Sequence, residues 1–428
     1  MARQNTLELL QTYESRNVTF IADDGSWPIV WKKAKGVHVW DEAGKKYLDL
    51  TGAFGVAAAG HANPRVIRAG QKQLSELPHA MGDVHPHRQK GELARALSAI
   101  TFERWGAGFG KTIFSNSGFE AVESALKTAR LATGKSRVIG FEGAYHGLGY
   151  GTLNVTHREY FRAAFRDQLR EFGTFVKFPT NESELGQTQS SISELLLNDE
   201  FSAILVEPIQ ARGGIIVPHP DFLPLLRQIC DHYNLLLIVD EIYTGFGRTG
   251  EWFACDHTQT VPDIVCLGKA LTGGFPLSAC IARAGLMDAW PPSTGEAIHT
   301  STFMGHPVGC AMSIAQIKEL KGKKLIAASR QKGKFLLKEL SKLASCSDKL
   351  KISARGVGLM AGIELRTLDD QPATQQSLEI IKKLLQRGFI FLPEGEYSNV
   401  ISFTPPLTIT QVQLKSSVAA LKDELAGL

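Results

Sequence analysis

The sequence predicts an α/β fold: a large domain with a mostly parallel sheet, and a smaller α+β domain built from the N- and C-terminal parts of the chain. Three observations predict it. Residues 235–239 and 264–267 are short apolar runs rich in β-branched residues, the pattern of strands buried on both faces. Strand-like and helix-like segments alternate from about residue 138 to 281, as parallel strands with helical crossovers do. The 428 residues suffice for one large and one smaller domain. The expected division gives residues 1–55 and 326–428 to the small domain and 56–325 to the large one.

Composition narrows the function classes. The net charge is only +4, with no basic stripe interleaved with aromatics, which argues against a nucleic-acid partner. No apolar run approaches the length needed to span a membrane. The N-terminal stretch lacks the apolar core of a secretory signal and suits a short amphipathic helix or a mobile arm. Six scattered cysteines, with no CxxC, read as reduced packing residues and point to the cytoplasm.

In chain order, residues 35–50 form two alternating runs about Gly44, a hairpin pattern. Glycine-rich loops follow at 51–55 and 60–64. Residues 115–130 open with Ser117-Gly118 and continue with apolar Phe119, Val122, Leu126 and Ala129. Glu120 stands three residues after Ser117, as in a capping box. Such a helix start reads either as a plain cap or as a phosphate site, because its N–H groups and dipole favour an anion. Residues 137–141 read as a strand, followed by a loop that carries Tyr145 and His146. Tyr145 suits stacking on a flat ring or local packing, and His146 a base or a hydrogen-bonded loop residue. Residues 158–198 read as helical segments and surface loop.

Residues 203–206 form a strand ending on Glu207, and 218–234 a helix with one apolar face. The strand at 235–239 ends on Asp240, and the strand at 264–267 is followed by Lys269. A turn at 272–276 and a strand at 277–282 complete the sheet region. A polar loop follows at 298–307, then a long helical stretch at 308–343 whose lysines make a solvated face. Strands at 360–365 and 400–403 and helices at 374–387 and 410–425 give the C-terminal part its α+β character.

Asp240 and Lys269 thus sit beyond the carboxyl ends of two strands, where open α/β sheets bind ligands. The pair suits pyridoxal phosphate chemistry: a lysine to form a Schiff base, and a carboxylate to keep the pyridine nitrogen protonated. It also suits two ordinary polar strand ends.

With its motifs set in order, the chain resembles the class III pyridoxal phosphate-dependent aminotransferases, of the type I pyridoxal enzyme fold, from about residue 35 to the C-terminus. The carriers are Gly60-His61 with Pro64, Ser117-Gly118 with Glu120-Ala121, Tyr145-His146-Gly147 and Glu207-Pro208. Asp240-Glu241 with residues 244–250, Gly268-Lys269 with Gly273-Gly274, and Thr302-Phe303 with Gly305 and Pro307 complete them. The resemblance implies that pyridoxal 5'-phosphate is bound covalently by Lys269, which also shuttles the proton. It implies that Asp240 pairs with the pyridine nitrogen, that Tyr145 and Ile242 cover the two ring faces, and that Ser117, Gly118 and Phe119 hold the phosphate. His146, Glu207 and Tyr243 belong to the same cofactor surroundings. Thr302 would reach the phosphate of a neighbouring subunit, which makes a homodimer with shared sites the minimum unit.

Departures from the family pattern concern substrate. Leu148 and Ser402 stand where relatives acting on carboxylate-bearing substrates often carry arginine, and neither can make an arginine's bidentate pair with a carboxylate. Glu207 then lacks the arginine with which it pairs in some relatives. Arg212 stands as a substitute anchor or as a surface loop residue. Tyr243 replaces a common glutamine near the cofactor 3-oxygen. The expected activity is amino transfer from an ω-amino acid, a diamine or an amino sugar or cyclitol to a 2-oxo acid or aldehyde, in ping-pong fashion. The alternative on this scaffold is an aminomutase of the glutamate-1-semialdehyde type or an amino-acid racemase. A nicotinamide oxidoreductase would want G-x-G-x-x-G at the helix start, and Ser117-Gly118 lacks that spacing. No metal site is expected.

Overall fold

The computed structural model describes residues 5–427, so the first four residues of the expected N-terminal amphipathic stretch lie outside it. The described part of that stretch is the helix Thr6–Tyr13, capped by Asn5, whose side chain accepts the Glu8 N–H at 2.8 Å. The described residues hold fifteen strands in three sheets.

The N-terminal strands β1 (Trp31–Lys35), β2 (His38–Asp41) and β3 (Lys46–Asp49) pair antiparallel. The turn between β2 and β3 is the expected one, with Gly44 at φ 86°, a conformation that glycine adopts at low cost. The large sheet takes β4 (Gly110–Ser115), β5 (Arg137–Phe141), β6 (Gly173–Val176), β7 (Phe201–Val206), β8 (Leu236–Asp240), β9 (Ile264–Leu267) and β10 (Ser278–Arg283). Its order is β4-β10-β9-β8-β7-β5-β6. The pairs β6-β5, β5-β7, β7-β8 and β8-β9 are parallel, and β10 alone runs antiparallel to both neighbours. β7 and β9 are buried at every residue, which is why their sequences are apolar runs rather than alternations.

β11 (Leu350–Val357), β12 (Met360–Thr367), β14 (Leu392–Glu394) and β15 (Val400–Phe403) form a third, antiparallel sheet. The two-residue β13 (Phe389–Ile390) pairs in parallel with β3, so the two ends of the chain share a sheet.

Four sequence expectations need correction. The sheet begins one strand earlier, at β4, and the polar 158–198 region supplies its edge strand, β6. Both were missed because their side chains are mostly half-exposed and lack an apolar run. The helical stretch at 308–343 is two helices, Pro307–Gly322 and Leu325–Ser341, separated where Lys324 takes φ 52°. Not all of its lysines are solvated: Lys332 is half-buried and donates to the Leu407 carbonyl at 2.8 Å.

Candidate active site

The carboxyl edge of the large sheet gathers one residue group after another. β4 leads into Ser117-Gly118, β5 into Tyr145-His146, and β7 into Glu207; β8 ends on Asp240, and β9 is followed by Lys269. Gly118, Phe119, Tyr145, His146, Leu148, Glu207, Arg212, Asp240, Ile242, Tyr243 and Lys269 line one cavity of about 390 Å³. A second chamber of about 1100 Å³ shares Tyr145, Arg212, Tyr243 and Lys269 with it and continues to Phe20, Trp27, Phe54, Leu378 and Leu392.

Asp240 is buried, and each carboxylate oxygen has a partner: Oδ1 accepts the Ile242 N–H at 3.1 Å, and Oδ2 lies 2.8 Å from His146 Nδ1. The other ring nitrogen, His146 Nε2, is buried with no partner among the described residues. Burial lowers the Lys269 amine from the ordinary lysine value, against the opposing pull of Asp240, Glu207 and Glu394. Its backbone takes φ 42°, a left-handed conformation that is strained for a side-chain-bearing residue and recurs at functional sites. The amine lies 4.5 Å from the centre of the Tyr243 ring, whose phenol is 3.3 Å from Thr404 Oγ1.

The helix Gly118–Thr133 points its N-terminus at the cavity. The Glu120 carboxylate accepts the N–H groups of Asn116 (3.0 Å) and Ser117 (2.7 Å) and the Ser117 hydroxyl (2.9 Å). Glu120 therefore reaches back as in the expected capping box, with the Ser117 hydroxyl donating to it. The N–H groups of the first turn have no intrahelical acceptor. A Cβ on Gly118 would lie 3.1 Å from Ile242 Cδ1, so the helix start and the Ile242 side chain are in close contact, and an alanine there would have to displace that side chain by a few tenths of an ångström.

These residues fit pyridoxal phosphate. The cavity is lined by a helix start, whose free N–H groups suit an anion, by a buried carboxylate, by a lysine, and by an aromatic residue and Ile242. The histidine against Asp240 orients the carboxylate as outer partners do at cofactor sites.

Comparison with known proteins decides the family. The sequence pattern described as aminotransferase class-III matches residues 20–425. The chain belongs to the class III aminotransferases. It is 36% identical over 398 residues to an acetylornithine aminotransferase of Methanosarcina mazei, covering 93% of this chain and 92% of that one. It is also 36% identical over 420 residues to a putrescine aminotransferase of Pectobacterium atrosepticum, covering 96% and 85%. Among solved structures, an amine transaminase from an uncultivated Pseudomonas species in its pyridoxal phosphate-bound form matches with a TM-score of 0.88. Identity there is 28%, over 97% of this chain and 98% of that one. As a class III aminotransferase of type I fold, the enzyme uses pyridoxal 5'-phosphate.

Two residues singled out in the sequence lie away from the aminotransferase cavity. Ser402 is buried within its sheet and donates to the Leu392 carbonyl at 3.1 Å. Thr302 is exposed on a loop and does not line the cavity. Arg212 is no free surface arginine: it lines the cavity, its guanidinium lies 6.0 Å from the centre of the Tyr145 ring, and Nη1 donates to Glu394 at 3.1 Å. Glu207 is held by backbone instead of an arginine, accepting the N–H groups of Tyr145 (2.9 Å) and Ala211 (3.2 Å). Burial pushes its carboxyl up to about 7, with His146 and these N–H groups opposing and Asp240 reinforcing the rise. Sequence reasoning missed Glu394, which closes a three-residue strand that no periodicity reveals.

Proposed function

We propose that this aminotransferase takes its amino group from a donor whose reacting carbon carries no adjacent carboxylate: an ω-amino acid, a diamine, or an amino sugar or cyclitol. A 2-oxo acid or aldehyde accepts it in the second half of a ping-pong cycle. The single observation that carries this reading is the cationic lining of the cavity. Leu148 faces it without charge, Ser402 points elsewhere, and the remaining arginine, Arg212, is already engaged by Glu394. The putrescine relative is named for a donor of this kind.

The cofactor supplies an electron sink for the pair released when the donor carbon loses its proton. Lys269, its basicity lowered by burial, is the cavity residue suited to take that proton and return it. Asp240, fixed by His146 and the Ile242 N–H, presents a negative charge to the pyridine nitrogen. Tyr145 and Ile242 would bound the ring on its two faces. Ser117, Gly118 and Phe119 would hold the phosphate with the helix N-terminus. Tyr243, beside the lysine amine, would lie toward the 3-oxygen.

The working unit we propose is a homodimer with Thr302 completing the partner's phosphate site. Met81, Val84 and Phe303 are all more than half exposed, and the His79 and Phe303 rings lie 5.3 Å apart, so these loops form one apolar surface. Among the described residues no helix is long and apolar enough to cross a membrane. Cys266 and Cys280 face one another across β9 and β10 as thiols, which supports a cytoplasmic setting. Steady-state transfer from 1,4-diaminobutane to pyruvate tests the reading. Parallel double-reciprocal lines with alanine as product are expected. Conversion of a single amino acid with no acceptor, by racemisation or internal amine migration, would contradict it.

A further inference from the structure

Asp240 Oδ2 depends on a single side-chain donor. His146 Nδ1 lies 2.8 Å from it, and both side chains are almost wholly buried. A carboxylate only accepts, so Nδ1 is the donor. His146 Nε2 has no partner among the described residues, so no second bond from the ring holds the imidazole in place. Its aim at Asp240 therefore depends on the backbone that carries it.

Thr156 holds that backbone. It is 0% exposed, and its hydroxyl uses both of its roles on one short segment. It accepts the His146 N–H at 3.0 Å and donates to the Gly147 carbonyl at 2.9 Å. Thr156 is in turn fixed from the phosphate end of the cavity. Its N–H donates to the Thr152 carbonyl at 2.9 Å, and the Thr152 N–H donates to Glu123 at 3.0 Å, on the helix Gly118–Thr133. A hydrogen-bonded path thus runs from Glu123 through Thr152, Thr156 and His146 to Asp240. Glu207 anchors the preceding residue through the Tyr145 N–H at 2.9 Å, and Thr156 anchors the residue that bears the ring.

We propose that Thr156 is a positioning residue for the cofactor's ring nitrogen: its hydroxyl aims His146 at Asp240 and so steadies the charge that Asp240 presents to that nitrogen. The inference rests on the family's cofactor and is independent of which donor the enzyme takes. A carboxylate that loses a buried donor is less stable as an anion. The ring nitrogen then holds its proton less firmly and withdraws fewer electrons from the Lys269 nitrogen bonded to the cofactor. That nitrogen keeps its own proton to higher pH. The other titratable groups facing the His146–Asp240 pair are Glu207, Lys269 and the Cys266 thiol, and none of them hydrogen-bonds to Thr156 among the described residues.

Exchange of threonine for valine keeps the shape and removes the hydroxyl. In T156V loaded with pyridoxal phosphate, the pH midpoint of the cofactor's visible absorbance is expected to rise by about half a unit or more. T156S is expected to return it to the wild-type value. T156C, whose thiol is a weak partner, is expected to fall between them and replaces T156V if the valine protein does not fold. A second readout needs no cofactor. In proton spectra of the apoprotein, the His146 ring N–H, identified by its loss in H146Q, is expected to move upfield in T156V and to return in T156S. A T156V protein that is less stable but keeps the wild-type midpoint and ring signal would confine Thr156 to a structural role and overturn the proposal. Equal shifts in T156V and T156S would overturn it as well, because they would trace the effect to packing and not to the hydroxyl.

Discussion

Gly147 shows how tightly single residues set this site. It follows His146 with φ 110°, and a Cβ there would come within 2.3 Å of Phe119 Cβ. Both the backbone and the space refuse a side chain, so G147A is expected to cost about 2–4 kcal/mol in urea unfolding. Glu241 makes a different prediction. It is fully buried beside Asp240, accepts the Thr244 hydroxyl and the Cys255 N–H, and burial pushes its carboxyl up to about 7. A folded-state value above the ordinary 4.5 means that the native protein holds a proton which the unfolded chain releases. Its contribution is therefore fully present below about pH 4.5 and is lost as pH rises toward 7. E241Q is expected to flatten the fall in unfolding free energy over that window, by an amount of order 3 kcal/mol. An unchanged pH slope would show that Glu241 is ionised in the native state.

Among the elements, the helix Gly118–Thr133 couples stability to cofactor binding. The Glu120 carboxylate gathers three donors from the turn before the helix and so fixes the direction of its first N–H groups. E120A is expected to cost roughly 1–3 kcal/mol and to weaken binding of added pyridoxal phosphate in a fluorescence titration. Loss of stability with undiminished cofactor affinity would separate the cap from the phosphate site. This helix was legible from Ser117, Gly118, Glu120 and the apolar spacing because local rules alone specify a cap. β7, β8 and β9 were legible for a related reason: strands buried on both faces must be apolar throughout. β4 and β6 were not, since their partly exposed faces dilute the pattern. Glu394 was not legible either. Its importance comes from a long-range meeting with Arg212, 182 residues away, and no local signal announces such a meeting.

At the scale of the whole molecule, the parallel sheet turns separate stretches of sequence into one edge, and that edge carries Lys269, Asp240, Glu207, Tyr145 and the helix start together. The exposed apolar loops near Thr302 lead us to expect a dimer in light scattering. F303D is expected to shift it toward monomer and to weaken cofactor binding; a dimer with intact affinity would remove the proposed role of Thr302. The central claim concerns the donor, and one spectroscopic measurement tests it most directly. Purified enzyme loaded with pyridoxal phosphate is mixed, without acceptor, with alanine, 1,4-diaminobutane, 5-aminopentanoate or an amino sugar, and the cofactor absorbance is followed through one turnover. The account predicts conversion of the aldehyde form to the amine form by one or more of the last three; alanine, the product formed from pyruvate, runs that half-reaction in reverse and serves as the reference for the amine form. Conversion by alanine alone would contradict it, and would mean that the cavity anchors an α-carboxylate despite Leu148 and Ser402.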